Sequence, residues 1–395
     1  MGKKVQKSIC IFSADYLLEQ IHQMEDQLDG ALLGQDIEYI HQIRVASRRL
    51  RNGLACFLDC LPKKKAKVWQ SDIKKITRAM GNARDLDIQI ELLDQLYEDN
   101  LDAKYKPGYR RLLLRLKQQR TKSQAKVNKA ISKLKKDDTL LGLRTQLEKM
   151  ANPSKNTYLF TPSLYQRAFS TINDNLKDFL SYEKYIGDPE NIKELHAMRI
   201  AGKHLRYTIE IFAPIYNMAL LPYIQLMKDI QDQLGEIHDD DVWISWLPTF
   251  IEKERERIED YFGNTGPLKR LLPGINHLIE DRQAARDREY QAFLSTWESL
   301  LSEKAWENLV KIIKAPINIE AALAHLAEEE TFDPEILADI EEMDAEGEPE
   351  AKTEEALAAE QPEIEDSTAE EESASAQESE VPLDTPQEEE NAKEG

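Results

Sequence analysis

The sequence contains few cysteines, and they form no recognisable framework. Three are present in 395 residues, at Cys10, Cys56 and Cys60, and none belongs to a CxxC pair. An odd number of cysteines without regular spacing is not typical of a disulfide-stabilised secreted domain. We therefore expect reduced thiols in a cytoplasmic protein, with Cys56 and Cys60 serving as packing residues.

Long apolar runs and strand patterns are also missing. The apolar run at residues 9–12 is far shorter than the core of a signal peptide, and no stretch is long enough to cross a membrane. Apolar residues recur with helical spacing, whereas the alternation typical of strands does not occur. These absences favour an all-α protein without a membrane partner.

Positive charge is scarce in the whole chain but not in most of its length. The formal net charge is −21, yet residues 315–395 alone contain 29 acidic and 2 basic residues. That segment therefore carries −27 and leaves +6 for residues 1–314. From about residue 340 it consists largely of Glu, Ala, Ser and Pro without aromatic residues, which predicts disorder. The part of the chain that is predicted to fold is basic and suits an anionic ligand.

One basic helical pattern occurs twice. Residues 41–51 read HQIRVASRRLR, and residues 196–206, 155 positions later, read HAMRIAGKHLR. In each copy a histidine and three cations lie on one helix face, and apolar residues lie on the opposite face. A basic stripe on a single helix is usually only a solvated face, but its duplication favours a shared ligand.

A second pattern repeats at nearly the same offset. Residues 81–88 read GNARDLDI, and residues 235–242, 154 positions later, read GEIHDDDV. We expect a helix to stop and another to begin at each of these places, giving helices at 64–80 and 84–99 in the first half. The duplication as a whole favours two antiparallel helical bundles related by a pseudo-twofold axis.

The paired acids of this second pattern have two interpretations. Asp85 and Asp87, like Asp239 and Asp241, could be metal ligands or general bases, or they could cap helices and pair with arginines. We favour the structural interpretation. His238 and Asp239 together match the His-Asp dipeptide of metal phosphohydrolases, but the first copy has an arginine in place of His238, so no metal site is predicted.

The predicted organisation has three parts. Residues 1–152 form the first bundle, residues 153–315 the second, and residues 316–395 the disordered acidic tail. If the bundles pack about a twofold axis, both basic faces line one groove. Cations about 4 Å apart repel each other by several kcal/mol at an effective dielectric constant near 20, so such a groove is expected to hold a polyanion.

The combination of the two patterns resembles the CHAD family, helical domains named for their histidines. The resemblance covers residues 8–314 and implies paired helical bundles with a basic central surface that binds inorganic polyphosphate. Many relatives resemble fusions to a triphosphate-processing domain, which we do not expect in this chain. We therefore expect a binding protein that is not an enzyme and has no cofactor, located in the cytoplasm with polyphosphate granules.

The resemblance also implies which residues face the ligand. The second copy departs from the pattern at Lys203, His204 and His238, where the first copy has arginine. The implied ligand-facing residues are His41, Arg44, Arg48, Arg49 and Arg51 in the first copy, and His196, Arg199, Lys203, His204 and Arg206 in the second.

Further basic residues are predicted to extend this surface along neighbouring helices, including a long basic helix at 108–136. They are Lys74, Lys75, Arg78, Arg111, Arg115 and Lys228. For the leading histidines, His41 and His196, phosphate contact is favoured over metal ligation, phosphohistidine formation or no direct role.

Two other functions remain alternatives. Basic faces also bind nucleic acid, but these stripes lack interleaved aromatic residues for base stacking, and the acidic tail opposes a long duplex. A metal-dependent phosphohydrolase or a histidine phosphotransfer protein would require a divalent metal or an acid-labile phosphohistidine, and the sequence demands neither.

Overall fold

The computed structural model describes residues 7–34, 36–98, 101–151 and 161–317. These residues form ten α-helices joined by turns and short 3-10 segments, and no β-strand occurs within the described ranges. The all-α fold expected from the sequence is confirmed. The helices are α1 (Lys7–Leu33), α2 (Ile37–Cys56), α3 (Lys63–Glu98), α4 (Lys106–Lys136), α5 (Thr139–Glu148), α6 (Pro162–Leu180), α7 (Ile192–Phe212), α8 (Leu221–Phe262), α9 (Leu272–Ser302) and α10 (Ala305–Lys314).

The same five-helix order occurs twice. The starts of α1 and α6 are 155 residues apart, as are the starts of α2 and α7. The starts of α4 and α9 are 166 residues apart, as are those of α5 and α10. Asp138 and Lys304, which directly precede α5 and α10, both adopt a left-handed backbone conformation with φ of 49° and 54°. The internal duplication therefore extends over complete sets of helices, down to a backbone detail at one junction.

The helix breaks expected in the second pattern do not occur. α3 and α8 run through these positions as single helices of 36 and 42 residues. Gly81 lies buried within α3, and a Cβ there would come 3.6 Å from Nε of Arg44 on α2. A glycine inside a helix costs at most about 1 kcal/mol relative to alanine, so packing against a neighbouring helix can override it as a stop signal.

The sequence also predicts a helix over residues 8–29 that ends at Gly30 and a second helix over residues 36–61, and the observed ends differ from both. α1 passes Gly30, its expected end, and stops at Leu33, where Gly34 adopts a φ of +64°. α2 stops at Cys56, before its expected end near residue 61, and a 3-10 turn follows at Leu58–Cys60.

Three apolar clusters hold the helices together. One consists of residues from α1 to α5, and a second consists mainly of residues from α6 to α10. The second also includes Phe12 and Phe57, whose rings contact Phe212 of α7 at 5.9 and 5.7 Å between centroids. The third joins α3 and α4 to α8 and α9. The two copies therefore share apolar surface. The boundary expected near residue 152 and the acidic tail beyond residue 317 lie outside the described residues.

A pair of equivalent glycines marks one contact between the copies. Gly108 on α4 and Gly274 on α9 are 166 residues apart, like the helices that carry them. A Cβ on Gly108 would come 2.9 Å from Cα of Gly274, and a Cβ on Gly274 would come 3.1 Å from Cα of Gly108. Equivalent residues that contact each other in this reciprocal way are the signature of a twofold relation.

A disulfide links Cys10 near the start of α1 to Cys60 in the turn after α2, with a Cα–Cα distance of 5.4 Å. The expectation of reduced thiols is wrong for these two residues, and Cys56 is the free cysteine within the described ranges. The 50-residue separation hides the pair in the sequence, because only the pairing of α1 with α2 brings the start of one helix beside the end of the other.

Within the described ranges, no helix combines the length and the apolar character needed to cross a bilayer.

Candidate functional site

The two repeated basic helices contact each other directly. Arg48 of α2 donates a hydrogen bond from Nη2 to the Tyr207 hydroxyl of α7 at 2.7 Å. Asn52 donates from Nδ2 to Thr208 Oγ1 at 3.2 Å, and its Oδ1 lies 3.2 Å from Nδ1 of His204. Asn52 and Tyr207 are equivalent positions, 155 residues apart. Both basic helices therefore meet at one place, which we call the α2–α7 junction.

A buried carboxylate neutralises part of this junction. Glu210 of α7 is 3% exposed; it accepts from Nε of Arg49 at 3.2 Å and pairs with Nη1 of Arg206 at 3.4 Å. Arg49 and Arg206 are 5% and 1% exposed, so they lie inside the protein and not on an open basic face. Sequence reasoning missed Glu210, although its one-turn spacing from Arg206 was a visible signal.

Two of the cations contact the same aromatic ring. The guanidinium of Arg48 lies 5.6 Å from the centroid of the Tyr207 ring, and that of Arg206 lies 4.9 Å from it. Cations held over a ring face are stabilised by its quadrupole, most strongly when they are desolvated. Tyr207 therefore helps like charges from the two copies to lie close together.

A second layer of paired charges lies where the basic helices pack on α3 and α8. Nη2 of Arg44 is 3.6 Å from Oδ1 of Asp85, and both side chains are buried. In the second copy, burial raises the pKa of Asp239 to about 7, while Arg199 and Lys203 lower it and Asp85 raises it further. The acids of the two copies thus act on each other as well as on the arginines of their own copy.

The other acids of the second pattern also pair with arginines. Asp87 accepts from Arg120 Nε at 2.6 Å, and Asp241 accepts from Arg286 Nε. Arginine pairing is therefore the observed arrangement. Helix capping is wrong for these residues because α3 and α8 continue through them.

The leading histidines are buried and not at the surface. His41 and His196 are 6% and 5% exposed. The ring of His196 stacks on that of His238, with centroids 4.0 Å apart and planes at 28°. Burial, together with Arg199 and Lys203, lowers the pKa of His196 to about 4. His196 is therefore uncharged at neutral pH.

The predicted ligand residues fall into two groups by accessibility. Seven are buried: His41, Arg44, Arg49, His196, Arg199, Arg206 and Lys228. Nine are half-buried or exposed: Arg48, Arg51, Lys74, Lys75, Arg78, Arg111, Arg115, Lys203 and His204. The second group can contact a ligand directly, and the arginines and the lysine of the first group can act through their charge.

Two of the accessible arginines lie elsewhere in the fold. Arg111 and Arg115 of α4 pair with the buried carboxylate of Glu254 on α8 at 3.2 and 2.6 Å. Their helix contributes to the third apolar cluster. The described contacts of these two arginines therefore place them with α8 and not at the α2–α7 junction.

A pocket of 210 Å³ lies between α3 and α8. Asp85 and Asp239 line it beside Glu236, Asp240 and Arg282, and Trp243 forms part of its apolar wall. Arg282 donates from Nη1 to Asp240 Oδ1 at 3.1 Å, and burial raises the pKa of Asp240 to about 7. The charged groups that line the pocket are mainly carboxylates, so an anionic ligand belongs on the arginine side of these residues.

Comparison with known proteins identifies one family and several similar structures, two of which follow. The family model described as CHAD domain matches residues 15–248. The crystal structure of the CHAD domain from the plant Ricinus communis is similar, with a TM-score of 0.55 and 19% identity, covering 76% of this chain and 94% of that one. PptA from Streptomyces chartreusis gives a TM-score of 0.48 and 14% identity, with 73% and 98% covered. No curated protein is significantly similar in sequence.

Proposed function

Because the chain belongs to the CHAD family, we propose that it binds inorganic polyphosphate at the α2–α7 junction. The observation that supports this proposal is the direct contact between the two repeated basic helices. Arg48 of α2 bonds to Tyr207 of α7, and Asn52, the position equivalent to Tyr207, bonds to Thr208. Arg49 and Arg206, 157 residues apart in the sequence, share the carboxylate of Glu210 beside this contact.

The balance of charge at the junction favours a polyanion. The two basic helices contribute seven cations to the junction and to the second layer beside it: Arg44, Arg48, Arg49, Arg51, Arg199, Lys203 and Arg206. The carboxylates that interact with them include Asp85, Glu210, Glu236 and Asp239. The carboxylates make the buried cations tolerable without cancelling the positive field. A phosphate chain can then bind to the accessible guanidinium groups, whose planar fork makes two hydrogen bonds to phosphate at once.

A polymeric ligand suits this arrangement better than a small phosphate. Lys74, Lys75 and Arg78 continue the accessible cations along α3, which packs against α2. Each additional phosphate contact adds to the affinity of a single chain, because later contacts form at high effective concentration. Affinity for polyphosphate should therefore rise with ligand length until the surface is covered.

The test compares the full chain with a variant that loses only accessible cations. Arg48→Ala, Arg51→Ala and Lys203→Ala together should weaken binding of long-chain polyphosphate roughly a hundredfold, at about 1 kcal/mol per cation. The control removes three exposed lysines on other helices and turns, Lys269, Lys311 and Lys314, and should bind as the parent does. Calorimetric titration at physiological salt provides the affinities.

Competition separates polyphosphate binding from the alternatives. Single-stranded RNA and duplex DNA should displace bound polyphosphate poorly. Polyphosphate incubated with the chain and magnesium should keep its length on a gel, because we propose binding without hydrolysis. Equal affinity for RNA, or equal losses in the junction and control variants, would refute the proposal.

A further inference from the structure

The two copies of the site differ at one position that determines charge. Arg84 of α3 carries a permanent positive charge, and its counterpart on α8 is His238. His238 is 4% exposed and stacks on His196, the leading histidine of the second copy. Where the first copy has a fixed cation, the second has two stacked rings that can gain or lose a proton.

The two ring nitrogens of His196, Nδ1 and Nε2, lack hydrogen-bond partners among the described residues. The side chain is nevertheless buried. A neutral imidazole has one donor and one acceptor nitrogen, and buried polar atoms in folded proteins are nearly always paired. The unpaired nitrogens therefore indicate a ligand that binds beside this ring.

A metal ion does not fit the geometry of this pair. A metal bound by histidine lies in the plane of the ring, along the lone pair of the nitrogen. Two rings stacked at 4.0 Å with planes only 28° apart do not direct their nitrogens to a common point. Groups of three or more His, Cys, Asp or Glu side chains suited to a metal are also absent from the described ranges.

An anion fits the surrounding charges. Arg199 and Lys203 of α7 act on His196 from its own helix, and His238 contacts it from α8. Asp239 of α8 interacts with the same two cations. A phosphate chain bound at these cations would offset their positive field and would offer oxygen acceptors to a protonated imidazole, so both effects favour protonation.

We propose that the stacked His196–His238 pair takes up a proton when polyphosphate binds, so that the second copy of the site binds polyphosphate more tightly as the pH falls. This inference rests on the proposed function and adds its regulation. The pair takes up one proton and not two, because two imidazolium rings at this separation would repel each other.

Calorimetric titration of the full chain with long-chain polyphosphate measures how strongly proton uptake is linked to polyphosphate binding. The affinity should increase roughly tenfold between about pH 8 and about pH 6, as linkage requires for a group whose pKa moves from acidic to neutral on binding. Titrations in buffers of different ionisation enthalpy should show uptake of up to one proton per bound chain at the lower pH. Internal phosphates of the ligand are ionised throughout this range, so the change comes from the protein.

His196→Gln keeps a hydrogen-bonding side chain and removes the proton site. Whatever the absolute affinity of this variant, the ratio of its polyphosphate affinities at about pH 6 and about pH 8 should fall to about twofold. The pH dependence that remains comes from Asp239, whose pKa is about 7. His238→Arg gives the second copy the residue of the first and should likewise reduce the ratio. His22→Gln changes an exposed histidine on α1 and should keep the parent ratio.

The outcomes are distinguishable. An unchanged ratio and unchanged proton uptake in His196→Gln would overturn the proposal, and so would a parent whose affinity does not depend on pH. His196→Gln decides the matter even if His238→Arg does not fold. A folded parent that binds no polyphosphate at either pH would refute the proposed function itself.

Discussion

Glu210 is the residue at which charges from the two copies meet. It pairs with Arg49 of α2 and with Arg206 of its own helix, and all three side chains are buried. Taking charges out of water is costly, and a buried pair offsets this cost only when each charge keeps its partner. The carboxylate therefore stabilises two arginines that would otherwise repel each other inside the protein.

Glu210→Gln should destabilise the fold. The substitution leaves Arg49 and Arg206 buried without their counter-charge, and breaking a buried ion pair in this way costs about 3 kcal/mol or more. Chemical denaturation gives the free energy of unfolding. Glu298→Gln, the same change at an exposed position of α9, should alter it by less than about 0.5 kcal/mol. Equal losses in the two variants would contradict the structural role of Glu210.

The burial and the distant partners of individual side chains could not be predicted from the sequence. Helical periodicity placed the basic residues of α2 and α7 on one face, and the contact of the two helices agrees with that phase. It did not reveal that Arg199 and Arg206 would be only 1% exposed, because their burial depends on what packs against that face. The partner of Arg49 lies 161 residues away, beyond any local pattern.

At the scale of helices, the contact between α4 and α9 leaves no room for a side chain at its centre. The backbones approach closely at Gly108 and Gly274, and a Cβ on Gly108 would also come 2.5 Å from the carbonyl oxygen of Leu271. A backbone atom cannot move aside as a flexible side chain can. These glycines are therefore required for the close approach and not for an unusual backbone conformation.

Gly108→Ala and Gly274→Ala should each lower the free energy of unfolding by about 1–3 kcal/mol, because overpacking forces the helices apart. Gly187→Ala is the matched control, since a Cβ there would meet nothing within 4 Å. Thermal or chemical denaturation distinguishes the three variants. A control as unstable as the other two would show that the contact between the helices is not responsible.

Helix order and number were more predictable than helix ends. Periodic apolar residues extend over many turns, so both ends of α4 lie within about two residues of the predicted helix at 108–136. The helix break predicted at Gly81 does not occur, because Arg44, 37 positions earlier in the sequence, packs over this glycine. Local stop signals compete with tertiary contacts, and the sequence shows only the first of these.

Charge is distributed unevenly along the whole chain. Residues 320–395 carry all of the −27 that residues 315–395 contain, whereas residues 1–314 carry +6. A covalently attached polyanion is held at high effective concentration near a basic surface, where it competes with a free one. The tail is therefore expected to weaken the binding of polyphosphate.

Deleting residues 320–395 should raise the affinity for polyphosphate several-fold at about 0.05 M salt, and the gain should disappear at about 0.5 M because salt screens the competition. A tail of equal length with its acids replaced by Asn and Gln should behave like the deletion. The measurement is a binding titration across a salt series. Unchanged affinity at every salt concentration would leave the tail only a solubilising role.

The reciprocal contact of Gly108 and Gly274 also bears on how the two copies can change. In a symmetric dimer of identical subunits such a contact joins a residue to itself, and every substitution appears twice. In one continuous chain each copy accepts substitutions alone. Arg84 can therefore be a fixed cation while its counterpart is His238. Likewise, Ser47 and Thr77 form a hydrogen bond between side chains, whereas Gln231 donates to the backbone carbonyl of Gly202. Fusion gives a twofold scaffold the freedom to become asymmetric without losing its central contact.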